Sequence, residues 1–196
     1  MKQNNMERIE FVIPTYNRPK EIMVILSSLV AQTNPNWKAH VVIDGLTNDY
    51  FKVKEFYQDE ERIRFSHLDK NHNDWGHTPR QYGLDNSTED WVVMTGDDNY
   101  YVPVFVDEML KNCRGTHFVY CNMVHNWVNK DYIPLDSEPK VYKIDIGNFM
   151  VHTTYGKSIR LQKDKNEADG LYVEEFLKTF PGLKPKKINK LLYVHN

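Results

Sequence analysis

Apolar residues fall in short runs along the first half of the chain, and polar turns separate them. Residues 8–13 (RIEFVI) predict a strand that stops at Pro14. A helix follows from about Pro19 or Lys20 to Gln32, with Ile22, Ile25, Leu26 and Leu29 spaced to share one face. The run 40–43 (HVVI) predicts a buried strand, closed by Asp44-Gly45. Residues 48–58 place Phe51, Val53 and Phe56 in rough helical register, and residues 62–68 alternate as a third strand. Thr78-Pro79 has the form of an N-cap and first residue of a helix carrying Tyr82 and Leu84. Residues 91–94 (WVVM) make a fourth buried strand, which ends at Thr95-Gly96-Asp97-Asp98.

Four rounds of strand and helix predict an α/β fold of Rossmann-like type, a mostly parallel central sheet with helices on both faces. Ligands of such sheets bind beyond the carboxyl ends of the strands. The polar residues collect there: Thr15-Tyr16-Asn17, Asp44 and Asp97-Asp98. The second half breaks the rhythm, with strands expected at 117–127, 141–146 and 187–194, a loop at 132–139 and a helix within 164–179.

The chain has 196 residues, the size of one domain able to bury roughly 70% of its unfolded surface. A net charge of -2 gives no general attraction to nucleic acid or to an anionic membrane, so an anionic ligand has to be captured by a metal or a few placed cations. Cys113 and Cys121 sit outside any CxxC spacing and are expected as buried, reduced thiols. The polar start, residues 1–10, lacks a signal-peptide core, and no window approaches ~20 consecutive apolar residues, so a cytoplasmic protein without a transmembrane segment is expected. Twelve Tyr, nine Phe and four Trp suit a pocket for flat polar ligands.

Six places carry candidate chemistry. Adjacent carboxylates Asp97 and Asp98 repel one another unless a cation lies beside them, and as hard ligands they suit Mg²⁺ or Mn²⁺. The alternative is a turn capping a helix that begins near Val102 or Pro103. In Pro14-Thr15-Tyr16-Asn17-Arg18-Pro19, Tyr16 is placed to pack on a base; the alternative is an ordinary turn with two prolines. Asp44 offers an acceptor for the imino hydrogen of uracil or guanine, or is simply a turn residue before Gly45. Arg80 lies in the first turn of a helix, where a phosphate is favoured, or is a surface arginine. Asp169 precedes an apolar helical run as a general base or an N-cap. His195 follows an apolar strand as a metal or phosphate ligand, or as a frayed terminal residue.

In order and spacing these segments resemble the GT-A nucleotide-diphospho-sugar glycosyltransferases, most of all the inverting family two. Pro14-Thr15-Tyr16-Asn17 matches its P-x-Y-N segment, and Asp44 its acidic second strand end. Asn73 to Gly83, with Arg80-Gln81-Tyr82-Gly83, resembles its N-x-G…A-R-N-x-G stretch, and Thr95-Gly96-Asp97-Asp98 its D-x-D-D motif. The match covers residues 8–112. Thr95 and Gln81 depart from the pattern, the N-x-G spacing is one residue looser, and Ala168-Asp169 stands where the family has an E-D pair. The Gln-x-x-Arg-Trp element of processive members is missing, which argues against polymer synthesis.

The resemblance implies one GT-A domain, with residues 8–112 binding the nucleotide-sugar and residues 113–196 forming the acceptor side. It implies a UDP-sugar donor held by Pro14, Thr15, Tyr16, Asn17, Asp44, Arg80 and Asp97. Asp97, Asp98 and His195 would bind Mn²⁺ or Mg²⁺, and Asp169 would be the catalytic base. The acceptor would be a glycan or another hydroxyl, in a pocket shaped by Gly147-Asn148-Phe149 and Trp127. A nucleotidyltransferase is ranked below because the turn after the first strand has no glycine. A non-catalytic nucleotide-sugar-binding module stays open because of Thr95.

Overall fold

The computed structural model describes residues 7–127, 131–162, 164–165 and 167–196. Strands β1 (Ile9–Thr15), β2 (Trp37–Ile43), β3 (Ile63–His67) and β4 (Trp91–Met94) lie parallel in the order β3-β2-β1-β4. Helices α1 (Glu21–Val30), α2 (Phe51–Phe56) and α3 (His77–Asp85) connect them. The alternation expected over residues 8–94 is therefore present. β1 runs on through Pro14, because its pairing with β4 stops at Val12–Met94 and the missing N–H breaks no ladder bond.

The remainder comprises β5 (Tyr100–Tyr101), α4 (Phe105–Lys111), β6 (Phe118–His125), β7 (Ile133–Leu135), β8 (Phe149–His152), α5 (Thr153–Gly156), α6 (Ala168–Thr179) and β9 (Lys186–His195). The sheet continues β4-β8-β6-β9-β5, with β7 on β6. Here three of the four pairings beyond β4–β8 break the parallel pattern of the first half: β6–β8, β6–β7 and β5–β9 are antiparallel, while β6–β9 is parallel. Two expectations shift. Residues 141–146 alternate like a strand, yet Ile144 and Ile146 turn into the core and Asp145 is drawn inward by Gly147 and Tyr193. The strand forms at Phe149–His152 instead, and the expected loop at 132–139 contains β7.

Alternation along β1 feeds two cores. Phe11 and Ile13 pack with Ile22, Leu26, Val53, Phe105 and Met109 on one face. Val12 packs with Leu84, Met94, Phe118, Tyr172 and Phe176 on the other. Helix α3 approaches β1 so closely that a Cβ on Gly83 would lie 2.2 Å from Val12 Cγ1. Gly83→Ala is therefore expected to cost about 2 kcal/mol through overpacking and to lower the melting midpoint by roughly 4–8 °C in a thermal melt. Both cysteines are buried and free. Among the described residues no helix is long and apolar enough to cross a membrane. Residues 1–6, part of the polar start, lie outside the described residues.

Candidate active site

The carboxyl ends of β1, β2 and β4 open into one pocket of about 460 Å³. Pro14, Thr15, Tyr16, Asp44, Arg80, Asp97, Asp98, Asp169 and His195 all line it. Asn17 does not; its left-handed backbone (φ 52°), which Asn tolerates, turns the chain from β1 toward α1. Tyr16 stands at the mouth with nearly half its surface exposed.

Neither acidic residue after β4 caps a helix, since α4 starts after Val104 with no side-chain cap. Both face a cation instead. Arg18 reaches Asp97 Oδ1 at 3.2 Å and Asp98 Oδ2 at 2.7 Å. The other oxygen of Asp97 accepts the Thr15 hydroxyl at 2.7 Å. Tyr50 completes the chain of bonds: its hydroxyl accepts the Arg18 N–H at 3.0 Å and lies 2.8 Å from Thr15 Oγ1. With the Thr15 proton committed to Asp97, Tyr50 is the donor to Thr15. Burial pushes the Asp97 carboxyl up to about 6, and the charge of Asp98 adds to this, while Thr15 and Arg18 hold it down. The cation that Asp97 and Asp98 converge on is the Arg18 guanidinium; paired carboxylates are also the kind of hard oxygen donor that Mn²⁺ or Mg²⁺ takes when phosphate and water complete its shell. Thr95, in place of the first motif aspartate, is fully buried, and its hydroxyl accepts from Asn99 Nδ2.

At the end of β2, Asp44 is buried and engaged through both oxygens. His72 donates from its backbone N–H at 3.0 Å and from Nδ1 at 2.7 Å, and Asn71 donates at 3.0 Å. The carboxylate thereby ties β2 to the loop after β3 while keeping an edge on the pocket. Arg80 is a half-buried floor residue rather than a surface one, bonded from Nε to the Thr95 carbonyl and from Nη1 to the Trp75 carbonyl. The loop ahead of α3 is strained, with Asn73 (φ 49°), Trp75 (φ 54°) and Gly76 (φ 81°) all left-handed. Such a conformation costs a non-glycine residue on the order of 1–2 kcal/mol.

The second half also lines the pocket, through Asp145, Ile146, Asp169, His195 and Asn196. Asp169 sits in the first turn of α6 but does not cap it; Glu167 holds that position, and Asp169 Oδ2 accepts the Ile146 N–H at 3.2 Å. Burial, then the charge of Asp145, raise its carboxyl well above the ordinary range, against the pull of Arg80 and Ile146. Asp145 itself accepts from Gly147 N–H (2.8 Å) and the Tyr193 hydroxyl (2.7 Å). His195 is no frayed end, for it pairs with His125 in the sheet. The Trp127 indole N–H lies 3.1 Å from His195 Nδ1 and 3.5 Å from His195 Nε2, and that Nε2 is 3.5 Å from Asp145 Oδ2. The expected metal set of Asp97, Asp98 and His195 is thus not assembled: among the described residues no three His, Cys, Asp or Glu side chains gather to hold an ion. Nor do Gly147, Asn148 and Phe149 shape the pocket. They are buried, Asn148 bonding Cys121 and Ser137 and Phe149 stacking on Phe118.

Arg18, Tyr50, Asp145 and Trp75 are among the residues of the pocket region absent from the sequence-based set. Arg18 was signalled by the rule that paired carboxylates need a cation. Tyr50, Asp145 and Trp75 gave no such sign, since their roles come from tertiary contacts.

Carboxylates and cations gathered at the carboxyl ends of the strands lie where sheets of the α/β class bind their ligands. The family model for glycosyl transferase family 2 matches residues 10–170, and the chain belongs to that family. An uncharacterized glycosyltransferase of Rickettsia felis is 21% identical over 63% of this chain but only 20% of its own length. The crystal structure of Staphylococcus aureus TarS 1–349 in complex with UDP-GlcNAc is similar with a TM-score of 0.72 at 19% identity, over 96% of this chain and 58% of that one. The mannosyltransferase PcManGT from Pyrobaculum calidifontis, in complex with GDP-Man and Mn²⁺, gives 0.74 at 12% identity, over 97% and 57%. The chain therefore has the GT-A fold, and it spans about one fifth of the length of its Rickettsia relative.

Proposed function

We propose that this domain moves a sugar from a nucleoside diphosphate, UDP in our reading, to an acceptor hydroxyl with inversion at the anomeric carbon. One observation carries the reading: a carboxylate pair bridged by Arg18 and a separate raised carboxylate line the same cavity. Tyr16 packs on the base, and the remaining acceptor capacity of the Asp44 carboxylate, whose oxygens already hold His72 and Asn71, takes its imino hydrogen. Arg80 lies at the floor for the phosphates. Asp97 and Asp98 would hold Mn²⁺ or Mg²⁺, which, when bound, supplies Lewis-acid neutralisation of the leaving diphosphate. Asp169 takes the proton of the attacking hydroxyl, as a base whose affinity for protons is raised toward neutral pH. His195 orients Asp145 rather than a metal. The acceptor is a glycan or another hydroxyl compound. Two buried, unpaired thiols suit a reducing compartment, and we place the domain in the cytoplasm.

The test is a thermal-shift panel of UDP, GDP, dTDP and their sugars with and without Mn²⁺. At ~100-fold saturation a true ligand adds ~2.7 kcal/mol, a midpoint shift of roughly 5–10 °C. UDP-sugars with Mn²⁺ are expected to give it. A flat response to every nucleotide overturns the reading.

A further inference from the structure

Trp75 combines three properties that the fold alone does not require. Its backbone is left-handed (φ 54°), a conformation foreign to bulky side chains. The residue is 66% exposed, so its ring adds little to any core. It lines the pocket.

Its anchors fix where the ring stands. The Trp75 carbonyl accepts from Arg80 Nη1 at 2.8 Å, which joins it to the floor beside Thr95. The next residue, Gly76, lies against Pro14 at the end of β1, where an added Cβ would be 3.1 Å from the proline ring. On the other side the indole lies 6.1 Å from the His77 ring, tilted by 56°. His77 Nε2 is 3.3 Å from the carbonyl oxygen of Lys165, in the segment leading into α6 and Asp169. Trp75 is thus tied through its carbonyl to Arg80 and through its ring to His77, which reaches the segment leading to Asp169, and Arg80, Trp75 and Asp169 line one pocket. A sugar undergoing transfer has to lie between Arg80, at the phosphates, and Asp169.

We propose that Trp75 is the platform for the transferred sugar, whose apolar C–H face packs on the indole while its hydroxyls point into the pocket. The proposal rests on the transferase reading. Strain retained at an exposed aromatic residue is the pattern expected of a residue kept for a ligand.

The test is titration calorimetry of UDP, UDP-GlcNAc, GDP and GDP-mannose, with Mn²⁺ and no acceptor, on wild type, Trp75→Asn and Trp75→Phe. For the nucleotide that binds wild type, Trp75→Asn is expected to weaken the sugar-bearing form about tenfold and the bare nucleotide by less than twofold. Trp75→Phe should restore most of the difference. Asn tolerates the left-handed backbone, so Trp75→Asn should melt at the wild-type temperature or above it. An unchanged ratio of the two affinities overturns the proposal. So does an equal loss of both, which would assign Trp75 to the base, or a melting point several degrees lower, which would make it structural. If none of the four compounds binds wild type, the transferase reading itself falls and takes this one with it.

Discussion

Asp169→Asn is expected to bind the donor within about twofold of wild type and to turn over 10²–10⁴-fold more slowly, the usual contribution of a general base. The substitution is close to isosteric, and an amide oxygen still accepts the Ile146 N–H. It removes a charge that faces Asp145 in a buried setting, so the fold should not suffer. Because the Asp169 carboxyl is raised, wild-type turnover should fall on acidification at a pH well above that of an ordinary carboxylate, and the residual rate of Asp169→Asn should lack that limb. Steady-state rates across pH, with donor affinity measured separately, decide the matter. A variant with wild-type turnover removes Asp169 from the role.

Asp97→Asn is expected to lose about 10³-fold in kcat/KM, equivalent to ~4 kcal/mol of transition-state stabilisation. Donor and Mn²⁺ titrations of its activity check this, and a loss below tenfold would move the cation elsewhere. The same variant carries a pH signature in the free protein. Asp97 is raised from 3.8 to about 6 on folding, so between those values the folded state binds more protons than the unfolded chain. Stability from this group therefore falls as pH rises through that window. Asn mimics the protonated form and lacks the slope. Relative to wild type, Asp97→Asn should gain on the order of 2–3 kcal/mol between pH 4 and pH 6, read from melts without ligand.

The part of the fold legible in the sequence was the part written in uninterrupted apolar runs. The runs 41–43 within β2 and 91–94 in β4 have no polar face to mistake, and Asp44-Gly45 and Gly96 mark where those strands release the chain. Acidic residues at those ends could be recognised because sheets of this class bind their ligands beyond the carboxyl ends of the strands. What misled was period. Residues 141–146 alternate, but their polar member, Asp145, points inward to Gly147 and Tyr193, a tertiary preference that alternation cannot express. β7 is three residues long with a proline, too short for any pattern. Arg18 lay in the turn after β1 with no role assigned to it, and only the folded turn shows its guanidinium on both aspartates. The left-handed backbone of Trp75 runs against its residue type, so no propensity could announce it.

β8 lies between β4 and β6, yet it comes after both in the chain, and the side of β4 away from β1 is paired only when Trp91 meets His152 and Val92 meets Val151. A ribosome delivering this protein would therefore expose β4 as a raw sheet edge until the later strand emerged. Such late insertion slows folding and leaves an intermediate open to edge-to-edge association with its own copies. The wall bearing Asp169 follows β8 in the chain, so the catalytic cleft would be among the last parts of the molecule to exist.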